Sequence, residues 1–146
     1  MIVGEPSGDK LGAALMDGLI NEVPEDVEFE GIGGPLMQDL RLESLFPMDE
    51  LSLMGIAEIL PKYRHLKRRI RQTADAVIAA NPDVLITIDS PSFGLRVAAR
   101  ARKARPDLRT IHYVAPSVWA WRPGRAAHMA RYIDHVLALL PFEPPY

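Results

Sequence analysis

The chain has no cysteine, which excludes disulfide bridges and thiolate-bound zinc. Its 4 histidines are scattered, so no protein-bound metal is expected. No uninterrupted apolar run is long enough to cross a bilayer, and Met1 does not open a charged-then-apolar leader. A strong charge of one sign is also missing: 17 Lys and Arg against 19 Asp and Glu leave a net charge of -2, which argues against a nucleic-acid binder. These absences predict a cytoplasmic protein whose membrane contact, if it has any, is peripheral. Familiar phosphate-binding motifs are lacking too. In Gly4-Glu5-Pro6-Ser7-Gly8-Asp9, Pro6 stands where the dinucleotide fingerprint needs its second glycine, and no Walker Lys-Ser/Thr pair follows. Ser7 also fails the spacing of a nucleophile elbow.

The 146 residues make one domain by length, and their 48% hydrophobic and 25% charged shares are those of a globular protein. Strand and helix patterns alternate along it. Ile2-Val3 reads as the clipped end of a strand, and Leu11, Ala14, Leu15, Gly18 and Leu19 repeat at helical spacing after Asp9, a good N-cap type. Val27 and Phe29 suggest a second strand ending at Gly31-Ile32-Gly33-Gly34. A helical region is predicted from about Met54 to Ala80, with Pro61 starting a new helix or kinking the old one. The Asn81-Pro82-Asp83 turn then precedes a buried-type strand, Val84 to Ile88. Leu95 to Ala104 reads as helix, Thr110 to Ala115 as strand, Arg125 to Tyr132 as helix and Val136 to Leu140 as strand, before Pro141, Pro144 and Pro145 open a linker or rim loop. The expected fold is α/β, a Rossmann-like parallel sheet with helices on both faces.

Four places have residues suited to chemistry. The Gly4 to Asp9 loop joins a strand to a helix, where backbone N–H groups hold phosphate or a sugar hydroxyl. The alternative is a tight turn in which Ser7 or Asp9 caps the helix. Asp89 directly follows a predicted central strand, the position from which a carboxylate serves as general base or caps the next turn through Ser90 or Ser92. Aromatic residues are only 7% of the chain, yet Trp119 and Trp121 fall together after the Ile111 to Ala115 strand pattern, beside Ser117. They either pack there or line a ligand pocket beyond the strand end. His112, inside that strand, reads as a core or rim residue. Finally, Pro61 to Arg71 holds six basic residues, Lys62, Arg64, Lys67, Arg68, Arg69 and Arg71, and no acid. Ile56, Ile59, Leu60, Tyr63, Leu66 and Ile70 form an apolar stripe along it. That combination fits either an ordinary surface helix or one lying on an anionic bilayer.

Ile111 to Trp121, together with GEPSGD at Gly4 to Asp9, LSLMGIAEIL at Leu51 to Leu60 and LLPFEPPY at Leu139 to Tyr146, resembles the lipid-A-disaccharide synthase family. The resemblance runs through the whole chain, although complete family members are much longer and carry a second, nucleotide-binding domain. It implies that residues 1–146 form the N-terminal, acceptor-side half of a GT-B type glycosyltransferase, with the C-terminal UDP-binding domain outside the chain. The implied reaction transfers 2,3-diacylglucosamine from its UDP derivative to 2,3-diacylglucosamine 1-phosphate with inversion, giving the β-1,6 disaccharide precursor of lipid A and UDP. It makes Asp89 the base and sets Gly4, Glu5, Ser7, Gly8, Asp9, Ser117, Trp119 and Trp121 around the substrates, with no cofactor. It also favours membrane contact through Ile56, Leu60, Tyr63, Arg64, Arg68 and Arg71 at the inner face of the bacterial inner membrane. The family's second acid three positions after the aspartate, and a polar residue two further on, are replaced here by Ser92 and Gly94. The remaining readings are half of a sugar-nucleotide epimerase and a non-enzymatic lipid-binding module.

Overall fold

The computed structural model describes residues 1–52, 59–115 and 124–139, the side chains of residues 52, 59–62 and 124–125 excepted. Its elements in chain order are β1 (Ile2–Val3), α1 (Pro6–Glu22), β2 (Glu30–Gly31), α2 (Pro35–Asp39), β3 (Glu43–Ser44) and α3 (Asp49–Ser52). Then follow α4 (Ile59–Ala80), β4 (Val84–Ile88), α5 (Pro91–Ala104), β5 (Arg109–Tyr113), α6 (Gly124–Met129) and β6 (His135–Leu137).

Four parallel strands pair in the order β1-β4-β5-β6, and β2 pairs in parallel with β3. A parallel bridge between Ile2 and Ile32 joins the two groups, fixed by Val3 N–H donating to the Ile32 carbonyl at 3.0 Å and Ile32 N–H donating to that of Met1 at 2.9 Å. The combined order is therefore β3-β2-β1-β4-β5-β6, the doubly wound arrangement. The chain steps outward one way from β1 and the other way from β4. With right-handed crossovers, α1 and α2 must cover one face, and α4 and α5 the other. The packing agrees, since α1 lies against α2 and α4 against α5.

The core forms where these layers meet. β1 and β4 bury Ile2, Val3, Leu85, Ile86 and Ile88, α1 and α2 contribute Met16 and Met37, and α5 contributes Phe93, Leu95, Val97, Ala98 and Ala101. Among the described side chains of α4 the buried positions are Ile70, Thr73, Ala74 and Val77, a stripe one helical face wide. Thr73 is tolerated there because its hydroxyl donates to the Arg69 carbonyl at 2.8 Å.

The structure moves several expected boundaries. Helix α1 starts at Pro6 rather than after Asp9, because a proline at the first helical turn gives up no intrahelical hydrogen bond. Pro91 opens α5 in the same way, four residues before the expected start. The β2 ladder is confined to Glu30–Gly31, since Val27 and Phe29 do not pair but line a cavity with Leu19, Leu45 and Val77. Pro61 sits in the first turn of α4, where it is compatible with a continuous helix. The short elements α2, β3 and α3 had no periodic signal and were not expected.

Candidate functional site

In a doubly wound sheet the strand order reverses at one place, and the loops leaving the two strands there splay apart to form a crevice. Here the reversal lies between β1 and β4. The loop after β1 is Gly4-Glu5 running into α1, and the loop after β4 is Asp89-Ser90 running into α5. Both come from sequence segments read as chemically suited, and the fold brings them into contact.

The contact is direct. Ser7 Oγ donates a hydrogen bond to Asp89 Oδ2 at 2.8 Å. The other carboxylate oxygen, Oδ1, accepts from Ser90 N–H at 2.8 Å, and Asp89 N–H donates to the Tyr113 carbonyl at 3.0 Å. Asp89 is half-buried and Ser7 exposed, so the pair lies at the carboxyl edge of the sheet within reach of solvent. Asp89 and Ser90 both take left-handed backbone angles, φ 52° and 39°, and Val114, at the same edge beyond β5, has φ 73°. Successive non-glycine residues in that region carry strain, which proteins concentrate at functional sites.

The glycines explain how the loops come so close. A Cβ at Gly4 would lie 2.6 Å from Ser90 Oγ, and one at Gly8 would press on Val3 and the Ile88 carbonyl at 3.3 and 3.4 Å. Side chains there would push the two loops apart. Glu5 is the extended residue preceding α1 and is exposed, and no side chain caps the helix.

Asp9 behaves differently from its neighbours. It is 3% exposed, and its carboxylate accepts from Gly34 N–H at 2.9 Å, Leu36 N–H at 3.0 Å and Met37 N–H at 3.2 Å. It thus caps α2, not its own helix, and satisfies amides that a helix start leaves without intrahelical partners. The expectation that Ser7 or Asp9 caps α1 is corrected on both counts: Ser7 turns to Asp89, and Asp9 turns to α2.

Below the crevice, His112 is fully buried in β5, with Nδ1 2.8 Å from the Thr87 hydroxyl of β4. It is the core residue expected from its place in the strand. Among the described residues no group of three or more His, Cys, Asp or Glu side chains is arranged to hold a metal ion. The cavity lined by Val27 and Phe29 also includes Asn81, Pro82 and Asp83, so it lies at the amino edge of the sheet, opposite the Ser7–Asp89 pair.

Along α4, Tyr63, Arg64, Lys67, Arg68 and Arg71 are exposed. Lys67 Nζ lies 4.6 Å from the Tyr63 ring centroid. Arg69 is not part of this outer surface. It holds Glu50 of α3 through Nε at 2.9 Å and Nη2 at 2.7 and 2.6 Å, while its guanidinium lies over the Phe46 ring. His65 Nε2 reaches the same carboxylate at 2.9 Å, and these partners, Arg69 foremost, hold the Glu50 carboxyl below its ordinary range. Ser117, Trp119, Trp121 and Ile56 lie outside the described residues, as does the Leu60 side chain. No described helix is long and apolar enough to cross a membrane.

A doubly wound parallel sheet with a serine-bonded carboxylate on strained backbone at its switch point defines a Rossmann-type α/β domain with polar groups gathered at its carboxyl edge. The family model for lipid-A-disaccharide synthetase matches residues 1–146, and the chain belongs to that family. It is 67% identical over 146 residues to a lipid-A-disaccharide synthase of Ruegeria pomeroyi, covering all of this chain and 36% of that protein. A synthase of Rhodospirillum centenum is 53% identical over 146 residues, again 36% of its length, and one of Rhodopseudomonas palustris is 56% identical over 144 residues, 37% of its length. The chain thus spans little more than a third of these relatives. Its fold is that expected of the N-terminal half of a GT-B glycosyltransferase.

Proposed function

We propose that this chain is the acceptor-side half of a two-domain glycosyltransferase that makes the disaccharide precursor of lipid A. The donor is UDP-2,3-diacylglucosamine and the acceptor 2,3-diacylglucosamine 1-phosphate. Asp89 takes the proton of the acceptor's 6-hydroxyl as that oxygen bonds to the donor's anomeric carbon, the bond to the UDP oxygen breaks, and the configuration inverts. The Gly4 to Gly8 part of the loop and the segment holding Ser117, Trp119 and Trp121 border the substrates, whereas Asp9, expected among them, is turned away to α2. UDP is held by a second domain outside this chain. The observation that carries the reading is the Ser7–Asp89 hydrogen bond at the switch point: it puts an oriented carboxylate where doubly wound domains bind ligands. Family membership supplies the chemistry to match. In the full-length protein, Asp89→Asn should lower kcat about 100-fold or more with the circular dichroism spectrum unchanged. Near-normal turnover by the folded variant would overturn the assignment.

The same reading puts the protein on the cytoplasmic face of the inner membrane through the exposed surface of α4. Tyr63 and the arginines Arg64, Arg68 and Arg71 face solvent, and they continue a segment whose Ile56 and Leu60 supply apolar anchorage. Each basic residue near an anionic surface contributes on the order of 1 kcal/mol. Replacing the three arginines by glutamine should therefore weaken binding to anionic vesicles by roughly two decades, with high salt mimicking part of the loss. Unchanged co-sedimentation of the folded triple variant would sink the docking proposal.

A further inference from the structure

The assignment of Asp89 as base leaves open what aims it. A carboxylate can rotate about its own side chain, and a general base works only when a lone pair points at the proton to be removed. Backbone geometry anchors one end of this side chain: Asp89 N–H is held by the Tyr113 carbonyl, and Oδ1 by Ser90 N–H. Those contacts fix the residue yet still let Oδ2 swing about the Oδ1 bond. The group that holds Oδ2 comes from the start of α1, beyond the other strand of the switch point: Ser7 Oγ at 2.8 Å, 82 residues away in the chain.

Ser7 is itself held rigidly. It lies in the first turn of α1, the next residue Gly8 packs against Val3 and the Ile88 carbonyl, and Gly4 lets Ser90 approach the loop. We infer that Ser7 is a positioning residue of the glycosyl transfer, acting through Asp89 and not on the substrates. This rests on the proposed role of Asp89 as base. Its hydroxyl proton occupies one lone pair of Oδ2 and fixes the carboxylate plane. An aspartate has about four acceptor sites, so lone pairs remain on both oxygens for the acceptor hydroxyl. The hydroxyl also joins the loops on either side of the switch point, tying the base to α1.

The test is a double-mutant cycle in the full-length enzyme, reading kcat and KM for both substrates together with the melting temperature. Ser7 is exposed and alanine is the better helix former, so Ser7→Ala should keep its melting temperature. It should lower kcat roughly 10-fold while leaving both KM values within about twofold. Ser7→Thr retains the hydroxyl and should recover most of the lost kcat. In an Asp89→Asn background, Ser7→Ala should cost nothing further, because the group it acts through is already disabled. Three results would overturn the inference: wild-type kcat in Ser7→Ala, a threonine variant no better than alanine, or an equal further loss in the Asp89→Asn background, which would mean that Ser7 meets substrate directly. Near-normal turnover by Asp89→Asn alone is a separate outcome, and it would remove the base on which the inference stands.

Discussion

Asp9, in the first turn of α1, and Asp89, directly after β4, sit at the same carboxyl edge of one sheet, yet their surroundings set them to opposite work. Asp9 is 3% exposed and surrounded by three backbone amides of α2. Asp89 is half-buried, keeps one serine and one amide as hydrogen-bond donors, and sits on strained backbone. A buried carboxylate enclosed by amides serves architecture, because most of its acceptor sites are taken and the rest is shut off from solvent. One with unspent lone pairs near solvent is available for proton transfer. Residue type and edge of the sheet do not separate the two cases; the donors do.

The sharpest way to break this contrast is to exchange the effects. Asp9→Asn replaces one acceptor oxygen by an N–H donor that faces other N–H groups, leaving at least one buried amide of α2 without its partner and removing a charge-assisted bond. The expected loss is about 3 kcal/mol of unfolding free energy, read by urea unfolding. Asp89→Asn should stay within about 0.5 kcal/mol of the parent in the same measurement, since asparagine tolerates left-handed backbone. An Asp9 variant of unchanged stability would end the architectural reading and return Asp9 to the substrate side of the loop.

Much of this was legible in the sequence, for a physical reason that also marks where legibility stopped. The long elements α1, α4, β4 and α5 each have a periodic or continuous apolar signal, because each buries a face against the core. Their alternation is enough for a parallel α/β sheet. The strand order is not in that signal: it depends on the two-residue strand β3 and the single bridge from Ile32 to Ile2, elements too short for any pattern. The switch point therefore emerged only in three dimensions. Asp89 and the Gly4 to Asp9 loop were visible separately as strand-end chemistry, whereas the bond between Ser7 and Asp89 spans 82 residues and had no local sign. The opposite lesson comes from Asp9, where the N-cap rule named a suitable residue type but the wrong helix. Gly34-Pro35, a glycine before a helix-opening proline, was the available clue that α2 lacked a cap of its own.

A third carboxylate tests whether donors alone decide the role. Asp134, just before the edge strand β6, accepts from Arg102 Nη1 at 2.7 Å and Nη2 at 2.9 Å and from Thr110 N–H at 2.8 Å. It ties α5 and β5 to the start of β6. With the Thr110 hydroxyl at 3.1 Å it has more donors around it than Asp9, but the side chain is 34% exposed, so its contribution should be architectural and smaller. The Arg102 bond, together with the Thr110 amide and hydroxyl, pulls the Asp134 carboxyl down from 3.8 to about 2. A depressed folded-state value means that the unfolded chain binds the proton first. The stabilisation is therefore fully present above about pH 4 and is lost as pH falls toward 2. Solvent screening of a pair this exposed reduces it to roughly 1 kcal/mol. Asp134→Asn should thus be less stable than the parent by about that much at pH 6, with the gap narrowing as pH falls from 4 toward 2. Urea unfolding across that range measures it. A gap that stayed constant to pH 2 would show that Asp134 holds β6 by shape rather than charge, and that counting donors overstates what they contribute near solvent.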